Sequence, residues 1–229
     1  MSGRIRMVLA FAFVVIAVMV TAPAAQAVPV SVSYNLTSDH CTGGCAPAGT
    51  IFGTVTITQS FGNLDVTVHL NSPFAFAKTG SVDFQAFKFN ATGVALADIS
   101  VTQTVAGQTL APQQAAVPGG FNGDGTGEFT FGIQCTTCGN GLSSAFTNDI
   151  RFHIVGATIP DITAPNNLSN VFVADVGNTS TGGPFAGNTG PIDATTPQTA
   201  VPEPGTLALV GSGLVSLGVA VRRRWSARR

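Results

Sequence analysis

Basic residues are scarce in the central part of this 229-residue chain. Between residues 28 and 200 there are three of them, Lys78, Lys88 and Arg151, against ten acidic residues, so this segment carries a net charge of −7. Binding to a nucleic-acid backbone needs clustered lysine and arginine side chains that neutralise phosphates. The charge therefore excludes nucleic acid as a partner of this segment.

Tryptophan and tyrosine are also nearly absent. Tyr34 is the one tyrosine, and the one tryptophan, Trp225, stands close to the C-terminus. Sugar-binding surfaces commonly use the exposed rings of these two residue types, which combine an apolar body with a polar tip. Their scarcity weighs against a carbohydrate-binding module. Fourteen phenylalanines between residues 28 and 200 are available for a core.

Short catalytic motifs are missing as well. The chain has no Gly-x-Ser-x-Gly elbow, no His-Glu-x-x-His pair and no phosphate-binding loop. Asp39–His40–Cys41 places an acid, a base and a thiol side by side, but adjacent residues of a strand point to opposite faces. His69 and His153 occupy outward positions of predicted strands. We expect neither enzymatic activity nor a cofactor.

The N-terminus has the three parts of a secretory signal peptide. Arg4 and Arg6 precede the apolar run Met7–Val20, and Ala25–Gln26–Ala27 supplies small residues at Ala25 and Ala27 for cleavage. Residues 1–27 are therefore predicted to be a signal peptide, handled by the secretion translocase and signal peptidase. The mature chain is expected to begin near Val28.

The body that follows shows a hydrophobic period of two, which is typical of strands with one buried face. Apolar and polar residues alternate in five segments: Val30–Leu36, Thr54–Thr58, Leu64–Leu70, Phe129–Ile133 and Ile150–Ile154. A change of phase between Val82–Phe84 and Phe87–Phe89 predicts a bulge near Gln85–Ala86. The pattern predicts an all-β domain over residues 28–176, an antiparallel β-sandwich that is jelly-roll-like or immunoglobulin-like. Residues 177–200, rich in Gly, Thr, Asn and Pro, are predicted to form a flexible stalk.

Four cysteines form two close pairs, Cys41 with Cys45 and Cys135 with Cys138. In an exported protein such cysteines are expected to be oxidised to disulfides. Sequence permits three connectivities, of which the two local pairs are favoured. A four-thiolate zinc site and free thiols remain the alternatives for this spacing.

A glycine-rich segment at residues 122–128 places oxygen-bearing side chains at intervals. Asn122, Asp124 and Glu128 are weak candidates for calcium ligands, because Ca²⁺ prefers several oxygen atoms. The segment lacks the remaining residues of a calcium loop. A structural loop leading into the strand at Phe129 is the simpler interpretation.

The last 29 residues form a third distinct segment. Pro202–Glu203–Pro204 precedes the uncharged run Leu207–Val221, and Arg222, Arg223 and Arg224 follow as a basic stop. A 15-residue helix spans roughly 22 Å, against about 30 Å of bilayer hydrocarbon. A single short apolar helix is therefore predicted here, with the arginines on the cytoplasmic side and the body outside.

Residues 201–229 resemble the PEP-CTERM sorting signal of exported bacterial proteins, through Pro202, Glu203 and Pro204, the apolar run and Arg222–Arg224. The resemblance implies a Gram-negative-type envelope, recognition by an exosortase-type membrane transpeptidase, a transient stay in the inner membrane, and removal of the tail. The resemblance also implies that the protein belongs to a strain that makes exopolysaccharide. Trp225–Ser226–Ala227 interrupts the basic end, which is a departure from the pattern.

These features lead to three hypotheses about function. The first is a non-enzymatic cell-surface or extracellular-matrix protein that is sorted through its tail. The second is an exopolysaccharide-binding module on the same β-sandwich. The third is a secreted hydrolase, which requires a concave site with an acid–base pair.

Overall fold

The computed structural model describes residues 30–79, 84–103, 107–116 and 120–198. Half of the described residues lie in strands, which are antiparallel, and the all-β prediction is confirmed. The strands are β1 (Val30–Leu36), β2 (Ser38–Asp39), β3 (Gly53–Ser60), β4 (Asn63–Leu70), β5 (Phe74–Lys78), β6 (Gln85–Phe89), β7 (Ile99–Val101), β8 (Leu110–Gln114), β9 (Phe121–Asn122), β10 (Glu128–Phe129), β11 (Phe131–Cys135), β12 (Gly141–Phe146), β13 (Ile150–Ile154), β14 (Phe172–Asn178) and β15 (Thr189–Ala194). A 3-10 turn, Leu96–Asp98, and one short helix, α1 (Ile159–Ile162), connect them.

The first sheet has the strand order β1-β3-β4-β13-β7, and every neighbouring pair is antiparallel. Its strands show the predicted alternation. In β4, Leu64, Val66, Val68 and Leu70 are buried, while the residues between them are half-buried or exposed. One face of this sheet therefore packs into the core, and the other carries hydroxyl, carboxylate and imidazole groups.

The second sheet has the order β12-β5-β14-β6-β11-β8, with β15 pairing to β14 and β2 to β15. Strand β14 pairs with β15 along Phe172–Gly177, with β6 near its start and with β5 near its end. All seven residues of β14 are buried. Both faces of the second sheet are therefore covered at its centre, unlike those of the first.

Phenylalanine rings hold the two sheets together. Phe87 and Phe89 of β6 lie 6.0 and 5.2 Å from Phe152 of β13, measured between ring centroids. Tyr34 of β1 meets the ring of Phe172 edge-on at 5.1 Å. Such pairs add about 0.5–1.5 kcal/mol each beyond the area that they bury. These contacts bridge the sheets and make the fold a sandwich, as predicted.

The predicted bulge is also present. Ile133 pairs with Phe87, but the next residue, Gln134, pairs with Gln85, so Ala86 has no partner on β11. The extra residue returns Phe87 and Phe89 to the core-facing side of β6.

The stalk predicted for residues 177–200 is wrong over most of its length. Strand β15 (Thr189–Ala194) lies inside that range, and five of its six residues are buried against β14 and β2. The chain then returns to β1, where Pro197 bridges to Tyr34 and Gln198 N donates to Ser33 O at 2.7 Å. The domain therefore extends beyond the predicted boundary at residue 176. Gly, Thr and Pro here permit close packing, although their composition is typical of a linker.

The predicted signal peptide and sorting tail lie outside the described residues. This applies to Ala25 and Ala27, to Pro202, Glu203 and Pro204, to Arg222–Arg224 and to the predicted C-terminal helix. Within the part of the chain that is described, no helix has the length and apolar character needed to span a membrane.

Candidate functional site

The first disulfide joins Cys41 to Cys45, with their Cα atoms 5.5 Å apart. The carboxylate of Asp39 closes this loop: one oxygen accepts a hydrogen bond from Cys41 N at 2.9 Å and the other from Cys45 N at 2.7 Å. Ala46 N donates to the same second oxygen at 3.2 Å. The loop is therefore held by a covalent bond and by one carboxylate at its base.

This disulfide loop rests on the β14–β15 hairpin. Asn178 Nδ2 donates to Cys45 O at 2.8 Å, and Asn188 Nδ2 donates to Gly44 O at 2.6 Å. A Cβ atom on Gly190 would lie 2.5 Å from Cys41 Cα. Only glycine therefore allows the loop to approach β15 this closely.

Gly190→Ala is expected to destabilise the domain by about 1–3 kcal/mol, because the new methyl group overlaps backbone that cannot move freely. Gly182→Ala is the matched control, since nothing lies within 4 Å of a Cβ atom there. Urea unfolding of both variants measures the difference. Equal midpoints for the two variants would show that the loop does not pack on β15 as described.

The second disulfide joins Cys135, at the end of β11, to Cys138, with Cα atoms 5.4 Å apart. Thr136 N donates to Thr109 O at 2.8 Å, and Thr109 N donates to Thr137 Oγ1 at 2.9 Å. These bonds tie the loop to the residue preceding β8. The favoured local pairing of all four cysteines is thus confirmed.

The zinc alternative fails for the same reason. Asp39, Cys41 and Cys45 offer ligand atoms within 4.8 Å of one another, but both sulfur atoms belong to a disulfide. Zinc requires thiolates, and none of the four cysteines is free. Asp39 lies close to the two sulfur atoms because its carboxylate accepts hydrogen bonds from the backbone N–H groups of Cys41 and Cys45.

The calcium candidates Asn122, Asp124 and Glu128 come together on the β9–β10 hairpin and are exposed. Asn122 Oδ1 accepts a hydrogen bond from Asp124 N at 3.1 Å. The carbonyl oxygen of Thr126 accepts bonds from Asn166 Nδ2 and Asn170 Nδ2 at 2.7 and 2.9 Å. These bonds explain the shape of the loop, and calcium binding here stays a prediction.

The histidines of the first sheet lie on its outer face, as predicted, and each pairs with an acid from a neighbouring segment. His69 Nδ1 and Asp149 Oδ1 are 2.8 Å apart, as are His153 Nδ1 and Asp65 Oδ1. Arg151 Nη2 also donates to Asp149 Oδ2 at 2.7 Å. Partial burial opposes ionisation of Asp149, but His69 and Arg151 outweigh it and lower its pKa below the ordinary value.

Asp149→Asn is expected to lower the free energy of unfolding by up to about 1 kcal/mol at neutral pH, because both partners are partly exposed. The pKa of Asp149 is lower in the folded state, so its contribution is present above the unfolded value of about 3.9 and lost as pH falls through the folded value. Denaturant unfolding between about pH 7 and about pH 2 should show the difference from wild type shrinking at the acid end. A difference that stays constant over this range would contradict the assigned pairing.

A cavity of about 300 Å³ lies beside His69, and its lining includes Ser72, Thr147 and Thr179. A hydrolase with a serine or threonine nucleophile would need a hydroxyl hydrogen-bonded to the base. Among the described residues, no hydroxyl group hydrogen-bonds to His69, and Thr179 Oγ1 donates instead to Pro73 O at 2.6 Å. The other candidate dyad is also separated, because His40 Nε2 lies 2.7 Å from Asp193 Oδ2 and Cys41 is oxidised.

The least expected site is a buried ion pair on the second sheet. Lys88 Nζ lies 3.0 Å from Asp175 Oδ1, and the side chains are 0% and 1% exposed. Two more buried oxygens, Asp175 Oδ2 and Thr79 Oγ1, lie beside the pair, and the Thr79 hydroxyl partly opposes the rise in the pKa of Asp175 that burial causes. Alternation in the sequence places Lys88, between Phe87 and Phe89, on an outward face. In the structure both faces of β6 are buried. The sequence feature that could have indicated a buried charge is a single lysine between two phenylalanines.

Comparison with known proteins assigns the C-terminal segment. Residues 200–224 match the family model of the PEP-CTERM protein-sorting motif. No curated protein and no solved structure matches the chain significantly. The tail therefore carries the signal of an exported protein that is sorted by an exosortase, and the match leaves the β-sandwich unassigned.

Proposed function

We propose that this protein is a non-enzymatic component of the cell surface or extracellular matrix, delivered through its C-terminal tail. The observation that carries the proposal is the sorting motif at residues 200–224, which directly follows a folded β-sandwich. Described strands and bridges continue to Gln198, so few residues separate the domain from Pro202–Glu203–Pro204. The domain is thus the cargo that the tail sorts.

A structural role is supported by how the polar groups of the domain are used. On the first sheet, hydroxyls bond to each other across strands: Ser33 Oγ lies 3.1 Å from Thr56 Oγ1, and Ser31 Oγ lies 3.3 Å from Thr58 Oγ1. The acids Asp39, Asp149 and Asp161 are engaged by backbone or side-chain donors. The two disulfides suit a domain that works in an oxidising compartment.

Exopolysaccharide binding is the second candidate, and one residue favours it. Phe61 stands at the tip of the β3–β4 hairpin with 84% of its surface exposed and a positive φ of 50°. An exposed aromatic ring in a sparsely populated backbone conformation marks a place to look for contacts. Retention of the domain on purified exopolysaccharide, lost in Phe61→Ser, would support this role. Passage of the wild-type protein without retention would end it.

The delivery proposal is tested by changing the motif in the full chain. We expect Glu203→Ala with Pro204→Ala to shift the protein from the surface and extracellular fractions into the inner-membrane fraction, with its tail retained. The reason is that the processing enzyme no longer recognises its substrate, while the apolar segment still holds the chain. Immunoblotting of cell fractions, with antibody against the domain, gives the distribution.

Thr206→Ser is the control, since it changes a residue beside the motif and keeps its character. It should distribute as wild type does. If the Glu203 and Pro204 variant reaches the surface as efficiently as wild type, the motif does not direct sorting. If the purified wild-type protein shows turnover of a polymeric glycan, the non-enzymatic role is wrong.

A further inference from the structure

The buried pair Lys88–Asp175 joins two neighbouring strands of the second sheet. Val173 of β14 pairs in register with Lys88 of β6, which places Asp175 two residues further along β14 on the same face. The ammonium nitrogen and the nearer carboxylate oxygen are 3.0 Å apart. Both side chains are sealed from water, so the two reactive groups are held together without competing solvent.

Such burial changes which protonation states are favoured. Taking an ion pair out of water is costly, and transfer of one proton from ammonium to carboxylate gives a neutral amine and a neutral acid. Burial raises the pKa of Asp175 above its ordinary value, and the charge of Lys88 only partly opposes that rise. A neutral amine is a nucleophile, and a neutral carboxylic acid is a far better electrophile than a carboxylate.

The second oxygen of the carboxyl group does not contact Lys88. Asp175 Oδ1 faces Lys88, while the buried Oδ2 makes no well-formed hydrogen bond among the described residues and has the Thr79 hydroxyl as its polar neighbour. A second buried carboxylate lies in the same row of the sheet, because Asp193 of β15 also pairs with Val173. Its Oδ1 is likewise buried and without a partner in the described part of the chain. The site therefore combines a fixed amine, a fixed acid and a second acid nearby.

We propose that Lys88 and Asp175 condense to an intramolecular amide that links β6 covalently to β14. The lone pair of Lys88 Nζ attacks Cγ of Asp175, a C–N bond forms, and the bond from Cγ to one carboxyl oxygen breaks. That oxygen leaves as water with two protons that the ion pair already holds, and the third ammonium proton stays on the amide nitrogen. No oxidant, reductant or activating co-reactant enters the balance. Two groups that are held in a reactive orientation have a high effective molarity, and this proximity lowers the barrier to condensation.

The amide would join strands that are far apart in sequence but adjacent at the centre of the sheet. It would resist mechanical separation of β6 from β14, as suits a protein held outside the cell. The inference goes beyond the proposed function, and its test is independent of where the tail sends the protein.

The test is mass spectrometry of the full chain, expressed with its signal peptide, exported, purified and incubated for several days at growth temperature. The expected intact mass is lower than that of the disulfide-bonded sequence by one water molecule. Protease digestion should give one branched peptide that contains both Lys88 and Asp175, with no tryptic cleavage after Lys88. Recovery of Lys88 and Asp175 in two unlinked peptides after incubation would overturn the proposal.

Substitutions separate the amide from other losses of water. Lys88→Arg keeps the positive charge but cannot form this amide, so its mass should show no loss. Lys78→Arg is the matched control on the same sheet: Lys78 Nζ lies 4.0 Å from the ring centroid of Phe84, and the loss should persist. Asp175→Asn would release ammonia in place of water and give the same product mass as wild type. Loss of water in Lys88→Arg would assign the change to another site and refute the linkage.

Discussion

Asp175→Ala is expected to lower the free energy of unfolding by about 3–5 kcal/mol, because it removes a fully buried carboxylate that faces the ammonium group of Lys88. The pair is fully enclosed, with Nζ and Oδ1 3.0 Å apart. The exposed acid Asp65, which pairs with His153, gives the comparison, and Asp65→Ala should cost no more than about 1 kcal/mol. Urea unfolding measures both variants.

A double replacement distinguishes the loss of the buried carboxylate from lost packing. Lys88→Met with Asp175→Leu removes both charges and fills a similar volume, so it should recover most of the stability lost in Asp175→Ala. The two substitutions are then strongly non-additive. If the double variant is as unstable as Asp175→Ala, the loss of stability comes from altered packing and not from the removed carboxylate. The amide proposed above would be absent from both variants, so the loss caused by its absence is the same in each.

Phe87→Ala is expected to cost about 3–5 kcal/mol, since it removes a large buried ring and leaves a cavity between the sheets. Phe87 is fully buried, and its ring centroid lies 5.7 Å from that of Phe172 and 5.9 Å from that of Phe89. Phe87→Leu, which keeps most of the volume, should cost less than about 1.5 kcal/mol. Thermal or urea unfolding gives the comparison.

Phe61→Ala is the matched control for Phe87→Ala, because the same side chain is removed from a position that is 84% exposed. Its effect should lie within about 0.5 kcal/mol of wild type. A large loss at Phe61 together with a small loss at Phe87 would contradict the placement of the core between the two sheets.

The parts of the fold that the sequence predicted well are those with one solvated face. In β4, every second residue from Leu64 to Leu70 is buried, and this arrangement appears directly as alternation of apolar and polar residues. The bulge at Gln85–Ala86 was visible because it changes the phase of that alternation. The sequence favours local disulfide pairing but permits two other connectivities, since the distance between the two cysteine pairs depends on the tertiary fold.

Strand β15 and the ion pair were missed because they lie in a sheet that is covered on both sides. Gly190 and Pro191 read as linker residues, although both are buried on β15. Lys88 reads as an outward residue of an alternating strand, but the outer face of β6 is closed. Apolar and polar residues alternate only in strands that have one face in water. The strands at the centre of the second sheet are covered on both faces, so alternation does not predict which of their residues are buried.

We propose that this protein is an exported β-sandwich that is sorted and processed through its C-terminal tail. The intact mass of the protein isolated from the envelope and medium of its own cells, with sequencing of its terminal peptides, tests this proposal. The mature chain is expected to begin near Val28, to contain two disulfides and to lack residues 205–229. A surface protein whose mass and C-terminal peptide still include residues 205–229 would contradict it.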